Sequence, residues 1–406
     1  MKPRVLMIAY ACNPQGSGEH WLGWGWAEQA ARSFDVDLIT TTNALTRVER
    51  AARALGITPH FVGVPDWLRK LTDLTKTSWL RKVWWQKKSF ALAKALHALK
   101  PFDLVHQTTF HTLRVPFLVT DLGVPSVWGP IAGGERVPPG FEAYLGTARR
   151  REAGRNFLNR LSLRVPSVKR SLQKASVLFV SNKTTLDFLP AEVREKSRVV
   201  PANALRPQDE ACQPPPPKAS GERLKLLYVG NCVATRSLPL VFEALKESGL
   251  TDYELKIVGG GPALDDWRRR AAELELGERV KFVGKVPFAE LNGFYDDADA
   301  LVFPALRDSG GSALLEAMAQ YLPVICLDWA GPGEMVDANS GAKIAVSNPR
   351  QTVKDFAAVL VRMKNEPGWR NRLASSGRAR ALEVFGWRAK RELLEKTYRG
   401  LIGRQP

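Results

Sequence analysis

YELKIVGGGPALDDWRRRAAELELGERVKFVGK, residues 253–285, holds one complete strand–helix–strand pattern. Glu254–Val258 is a short apolar run ending in three glycines, Ala263–Leu274 carries apolar residues at helical spacing, and Val280–Val283 is a second short run. Two runs joined by a helix predict parallel neighbours, because antiparallel strands need only a tight turn between them.

The pattern repeats outward from this stretch. Leu224–Val229 precedes a helix over Leu238–Glu247, and Ala300–Phe303 is another buried run. In the first half, Val5–Tyr10 precedes a helix over Trp21–Ser33, Val36–Thr41 precedes one over Arg47–Leu55, and Leu104–His106 follows a long helix. Such alternation predicts an α/β protein with parallel sheets. Between the halves stands ACQPPPPKASG, residues 211–221, whose four consecutive prolines fit neither a helix nor a central strand. The expectation is two Rossmann-like, doubly wound parallel-sheet domains facing a cleft. They comprise residues 1–210 and 223–385, with a proline-rich linker over 211–222. A C-terminal helix in 386–406, amphipathic over Trp387–Leu401, packs back on the first domain. Ligands are then expected at the carboxyl ends of the sheets.

A chain of 406 residues, 45% hydrophobic and 25% charged, has the composition of a folded globular protein, which excludes disordered and collagen-like classes. Four dispersed cysteines (Cys12, Cys212, Cys232, Cys326) signal neither a disulfide framework nor a zinc site, and fit a reducing cytosol. Val5–Ala11 resembles a short secretory leader but reads as a first buried strand. No run approaches the length of a membrane span. The net charge of +18 favours an anionic partner: nucleic acid, anionic lipid or a phosphorylated ligand.

The densest chemical pattern is FPALRDSGGSALLEAMA, residues 303–319. A strand ends at Phe303, a loop carries Asp308, and Ser309, Gly310, Gly311 and Ser312 open a helix that continues through Glu316. Backbone amides at a glycine-flanked helix start suit phosphate or diphosphate. Asp308 and Glu316 would flank it and grip opposite ends of a nucleotide sugar. An ordinary capped helix with a solvated Glu316 is the alternative.

On these residues the chain resembles a retaining GT-B glycosyltransferase of family 4, the bacterial polysaccharide-type group 1 glycosyltransferases. Asp308-x7-Glu316 is similar to that family's E-x7-E motif. Ile257-Val-Gly-Gly-Gly-Pro262, Val280-Lys-Phe-Val-Gly284 and Tyr228-Val-Gly230 match in the second half. In the first half the matching segments are Ala11–Glu19 with Gly23–Trp26, Asp103–Thr109 and Trp128–Glu135. The resemblance implies that Glu316 binds ribose hydroxyls and Asp308 hydroxyls of the donor sugar. It implies further that Gly16, Ser17 and Gly18 line the diphosphate and acceptor opening, and that Gly260, Gly261 and Val283 contact substrate. Two departures stand out. Asn231 occupies the place of a common phosphate-binding Arg, and Arg236 that of a Lys. Relatives often carry a His where this chain has Gly129-Pro130-Ile131, so His106 is taken as the catalytic histidine of the first half.

The implied reaction is transfer of a hexose from a nucleoside diphosphate sugar to a glycan acceptor, lipid-linked, with retention, in cell-surface polysaccharide biosynthesis. A noncatalytic sugar-nucleotide or glycan-binding subunit and a GT-B-like epimerase remain open. No cofactor and no metal are expected: the D-x-D at Asp35-Val-Asp37 sits in a strand pattern, and the five histidines lack zinc spacing. Residues 66–100 hold nine Lys/Arg against two Asp, with Trp67, Trp79, Trp84 and Trp85 interleaved, a pattern suited to an anionic membrane surface. The expected place is therefore cytoplasmic, peripheral on the inner face of the membrane. Neither nucleic acid nor a stable protein partner is expected, since no nucleic-acid-binding signature accompanies the charge.

Overall fold

The computed structural model describes residues 2–16, 18–75, 77–110, 112–213 and 223–403. These form two compact units. The first comprises residues up to 134, residues 155–202 and residues from 387 on; the second comprises 135–154 and 203–386. Most of the proline-rich linker, residues 214–222, lies outside the described residues.

The first unit is built on seven strands: β1 (Arg4–Ala9), β2 (Asp35–Thr40), β3 (Thr58–Phe61), β4 (Leu104–Gln107), β5 (Ser126–Ile131), β6 (Val177–Val180) and β7 (Ser197–Val199). All neighbours are parallel, in the order β3-β2-β1-β4-β5-β6-β7. Val5–Ala9 are fully buried, as a strand covered on both faces must be, which explains why β1 reads as an uninterrupted apolar run. The helix Trp387–Ile402 belongs to this unit. The Trp387 ring fills the notch left by Gly25, where a Cβ would lie 2.0 Å from the indole.

The second unit has six parallel strands: β8 (Leu224–Val229), β9 (Tyr253–Val258), β10 (Val280–Gly284), β11 (Ala300–Phe303), β12 (Val324–Leu327) and β13 (Ala342–Ile344). Their order is β10-β9-β8-β11-β12-β13. Chain order reverses between β8 and β11, so the loops leaving these two strands bound the crevice where such sheets bind ligands.

The unit boundaries differ from those read off the linker. Residues 135–154 and 203–210 precede the prolines, yet both belong to the second unit. Phe141 and Leu145 are buried there, Phe141 in the cluster that includes Leu240, Val241 and Phe356. The Leu205 amide donates to the Phe385 carbonyl at 3.0 Å. Burial of those side chains outweighs proximity in the chain.

Candidate active site in the second unit

Three loops meet at the carboxyl end of β8. The loop after β8 carries Asn231 and a 3-10 turn over Ala234–Arg236. The loop after β9 is locked onto it: the Cys232 amide donates to the Gly260 carbonyl at 3.1 Å and the Ala263 amide to the Cys232 carbonyl at 2.9 Å. A Cβ on Gly259, at φ +144°, would sit 1.9 Å from the Gly230 carbonyl oxygen, and one on Gly261 would sit 2.4 Å from that of Cys232. Gly261 is therefore required for contact between the two loops. The α-carbon of Gly260 faces the Lys285 stem, with two side-chain carbons 3.2 Å from where a Cβ would stand.

The loop after β11 brings in the acids. Asp308 forms an ion pair with Arg236, whose guanidinium lies 4.8 Å from the Phe303 ring centroid. The other Asp308 oxygen, Oδ1, accepts the Gly310 amide at 3.1 Å. Gly331 backs this loop: its amide donates to the Asp308 carbonyl at 3.1 Å, and a Cβ there would lie 2.3 Å from the Ser309 carbonyl group. Arg307, one residue earlier, pairs with Glu152 at 2.8 Å. The helix Ser312–Ala319 then begins at Gly311 with no side-chain cap. Its first intrahelical bond runs from the Leu315 amide to the Gly311 carbonyl at 3.1 Å. The amides of Ser312, Ala313 and Leu314 thus sit at the positive end of the helix, suited to an anion.

Glu316 lies one turn further on. It accepts a hydrogen bond from the Tyr295 hydroxyl at 2.8 Å, and Tyr295 is itself buried. Burial pushes the Glu316 carboxyl above the usual carboxylate range; the Tyr295 bond and nearby Arg206 oppose this, while Asp209 adds to it. Arg206 stacks over Phe288 at 4.2 Å. Tyr295, Arg206 and Glu152 were not singled out in the sequence, because each reaches the site from a distant segment and none belongs to a motif. Asn231 is exposed and its carbonyl accepts the Tyr228 hydroxyl at 3.0 Å. Val283 is 41% exposed at the end of β10.

The remaining candidates lie in the first unit. Gly16 and Gly18 stand in the loop after β1, at the switch point of that sheet, with Gly18 at φ +54° before the helix Glu19–Ala31. Ser17 lies outside the described residues. His106 does not fit the catalytic role. It is fully buried, with Nδ1 paired to the Tyr398 hydroxyl and Nε2 2.7 Å from the Gly129 carbonyl oxygen, and burial lowers its pKa to about 4. Both ring nitrogens are engaged in the core, so we assign it a structural role. Asp37 accepts from Arg4 at 2.8 Å and lies 2.7 Å from His60. Among the described residues no cluster of His, Cys, Asp or Glu could hold a metal.

The basic segment 66–100 folds as helices Asp66–Leu74 and Ser78–Leu99. Its tryptophans divide. Trp67 and Trp79 are 64% and 52% exposed, beside exposed Leu71, Leu74 and Leu80. Trp85 is buried and donates to the Val62 carbonyl at 3.1 Å, and Trp84 packs against the core. Among the described residues no helix is long and apolar enough to cross a membrane.

The two parallel-sheet units give the chain the GT-B fold. The structure of Anabaena Alr3699/HepE in complex with UDP and glucose superposes with a TM-score of 0.63, covering 98% of this chain and 100% of that one at 13% identity. Residues 212–380, within the second unit, match the family model "Glycosyl transferases group 1". A D-inositol 3-phosphate glycosyltransferase of Thermomonospora curvata is 31% identical over 189 residues, covering 43% of this chain and 42% of that protein. The amylovoran biosynthesis glycosyltransferase AmsK of Erwinia amylovora is 30% identical over 149 residues, covering 34% and 36%. The chain thus spans less than half the length of these curated relatives.

Proposed function

We propose that this protein is a glycosyltransferase that moves a hexose from a nucleoside diphosphate sugar to a glycan acceptor in cell-surface polysaccharide biosynthesis. The observation that carries the reading is the group of Arg236, Asp308, the uncapped amides at Ser312–Leu314 and Glu316 around the β8–β11 switch point. Amides and guanidinium suit the diphosphate, Glu316 the ribose hydroxyls and Asp308 the sugar. The names of the relatives and the UDP-and-glucose complex of the structural neighbour support the same class.

In this reading the anomeric C–O bond to phosphate breaks while a bond to the acceptor oxygen forms on the same face. The departing phosphate oxygen takes the acceptor proton, and the configuration is retained. Helix amides and cationic side chains stabilise the leaving group without a metal. The acceptor is lipid-linked. The exposed Trp67, Leu71, Leu74, Trp79 and Leu80, set among lysines and arginines, hold the protein on the anionic inner face of the cytoplasmic membrane.

Thermal-shift screening against UDP-, GDP- and dTDP-hexoses, followed by product analysis with acceptor, tests this function. Stabilisation by one donor and acceptor-dependent transfer with retention are expected. A donor that binds without transfer or slow hydrolysis would make the chain a noncatalytic binding subunit, and conversion of the donor without acceptor would make it an epimerase.

A further inference from the structure

Arg236 and Asp308 are bound to each other, although the proposed function asks the first to hold phosphate and the second to hold sugar. Their side chains are only 22% and 13% exposed, so the pair is largely shielded from water. The other nearby cations differ. Arg307 is tied to Glu152, and Lys285 lies along Gly260 with no ion pair among the described residues. Asp308 is held from behind by the Gly310 amide through Oδ1, leaving Oδ2 for Arg236.

We infer that Asp308 is an internal stand-in for the diphosphate, which makes the Arg236–Asp308 pair the determinant of diphosphate specificity. The inference rests on the donor site proposed above. A guanidinium fork donates to a carboxylate and to a phosphate with the same geometry, so one anion can replace the other. A diphosphate at the start of the helix Ser312–Ala319 carries more charge than one carboxylate and also meets the helix amides, and it draws Arg236 away. The Phe303 ring beneath the guanidinium lets it turn while remaining stacked. Oδ2 of Asp308 is then released to accept a sugar hydroxyl, while the Gly310 amide keeps the carboxylate in place. A free sugar, bringing no phosphate, leaves Asp308 occupied.

The prediction is unusual in sign, because removing a residue of the site tightens binding of the nucleotide product. Isothermal titration of the full chain with UDP, GDP and dTDP identifies the nucleotide that wild type binds. Asp308→Asn, nearly isosteric, should bind that nucleotide about five-fold more tightly, since a partly shielded competing ion pair has been removed. Asp308→Ser should do the same, and Arg236→Gln should weaken binding. In the Arg236→Gln background, Asp308→Asn should give no gain, and the bare nucleoside should bind all folded variants equally. Equal or weaker nucleotide binding by both Asp308 variants, with unchanged circular dichroism, overturns the inference while leaving the site reading standing. Failure of wild type to bind any of the three nucleotides overturns both.

Discussion

The Tyr295 hydroxyl donates to the Glu316 carboxylate at 2.8 Å, linking the helix before β11 to the helix after it on the side where ribose is expected. The tyrosine does for Glu316 what solvent would do for an exposed acid: it stabilises the charge that burial disfavours. Tyr295→Phe should raise the Glu316 pKa further. Nucleotide affinity should then fall at a higher pH than in wild type, as protonation removes the acceptor for the ribose hydroxyls. Titration calorimetry across pH 5 to 8 checks this.

The burial of Glu316 also has a cost in stability. A carboxyl whose folded pKa is raised favours folding below its unfolded pKa, and that contribution is lost as pH rises through the folded value. Glu316→Gln keeps an oxygen for Tyr295 and removes the buried charge, so it should stabilise the protein at pH 7. Nucleotide affinity should nevertheless fall by about ten-fold or more. Denaturation and binding measured on the same preparation separate the two effects.

His106 carries the opposite sign. Its pKa is lowered to about 4, so its neutral form contributes stability that is present above the unfolded value near 6.5 and is lost as pH falls toward the folded value. His106→Gln should flatten the dependence of the urea midpoint on pH over that window. It should lower stability by roughly 1–3 kcal/mol through the Gly129 and Tyr398 partners, while kcat per folded molecule is unchanged.

The proposed membrane face separates exposed from buried tryptophans. Trp67→Ser with Trp79→Ser should weaken binding to vesicles containing anionic lipid and leave the melting temperature within a degree or so of wild type, because both rings stand in solvent. Trp85→Ala should cost about 3–5 kcal/mol of stability, since its ring is in the core. Vesicle co-sedimentation at low and high salt, beside thermal melts, checks both.

What was legible in the sequence follows from burial. Strands such as β1, β8 and β11, covered on both faces, show as short apolar runs, and the loop from Asp308 to Ser312 shows because small residues precede a helix. Other features depend on contacts between distant segments. Phe141 resembles any loop aromatic until it is seen in the second unit's core. His106 looks like a residue at a strand end, and its burial is explained by Tyr398, 292 positions later, together with the Gly129 carbonyl. The resemblance gives Gly261 as a substrate contact, and only the structure shows that its missing side chain also makes room for the Cys232 carbonyl. The helical spacing of Ser78–Leu99 does not distinguish Trp79 from Trp85, because what covers each ring is set elsewhere in the chain.

Hydrogen exchange of the backbone amides from Ser309 to Leu314 tests the donor site most directly, because the proposed contact is made by those groups themselves. A saturating nucleoside diphosphate should slow exchange there and on the Asn231–Arg236 loop, with little change in the strands beneath. Retained nucleotide affinity with unaltered exchange in both loops, and protection at some other part of the chain, would contradict the assignment.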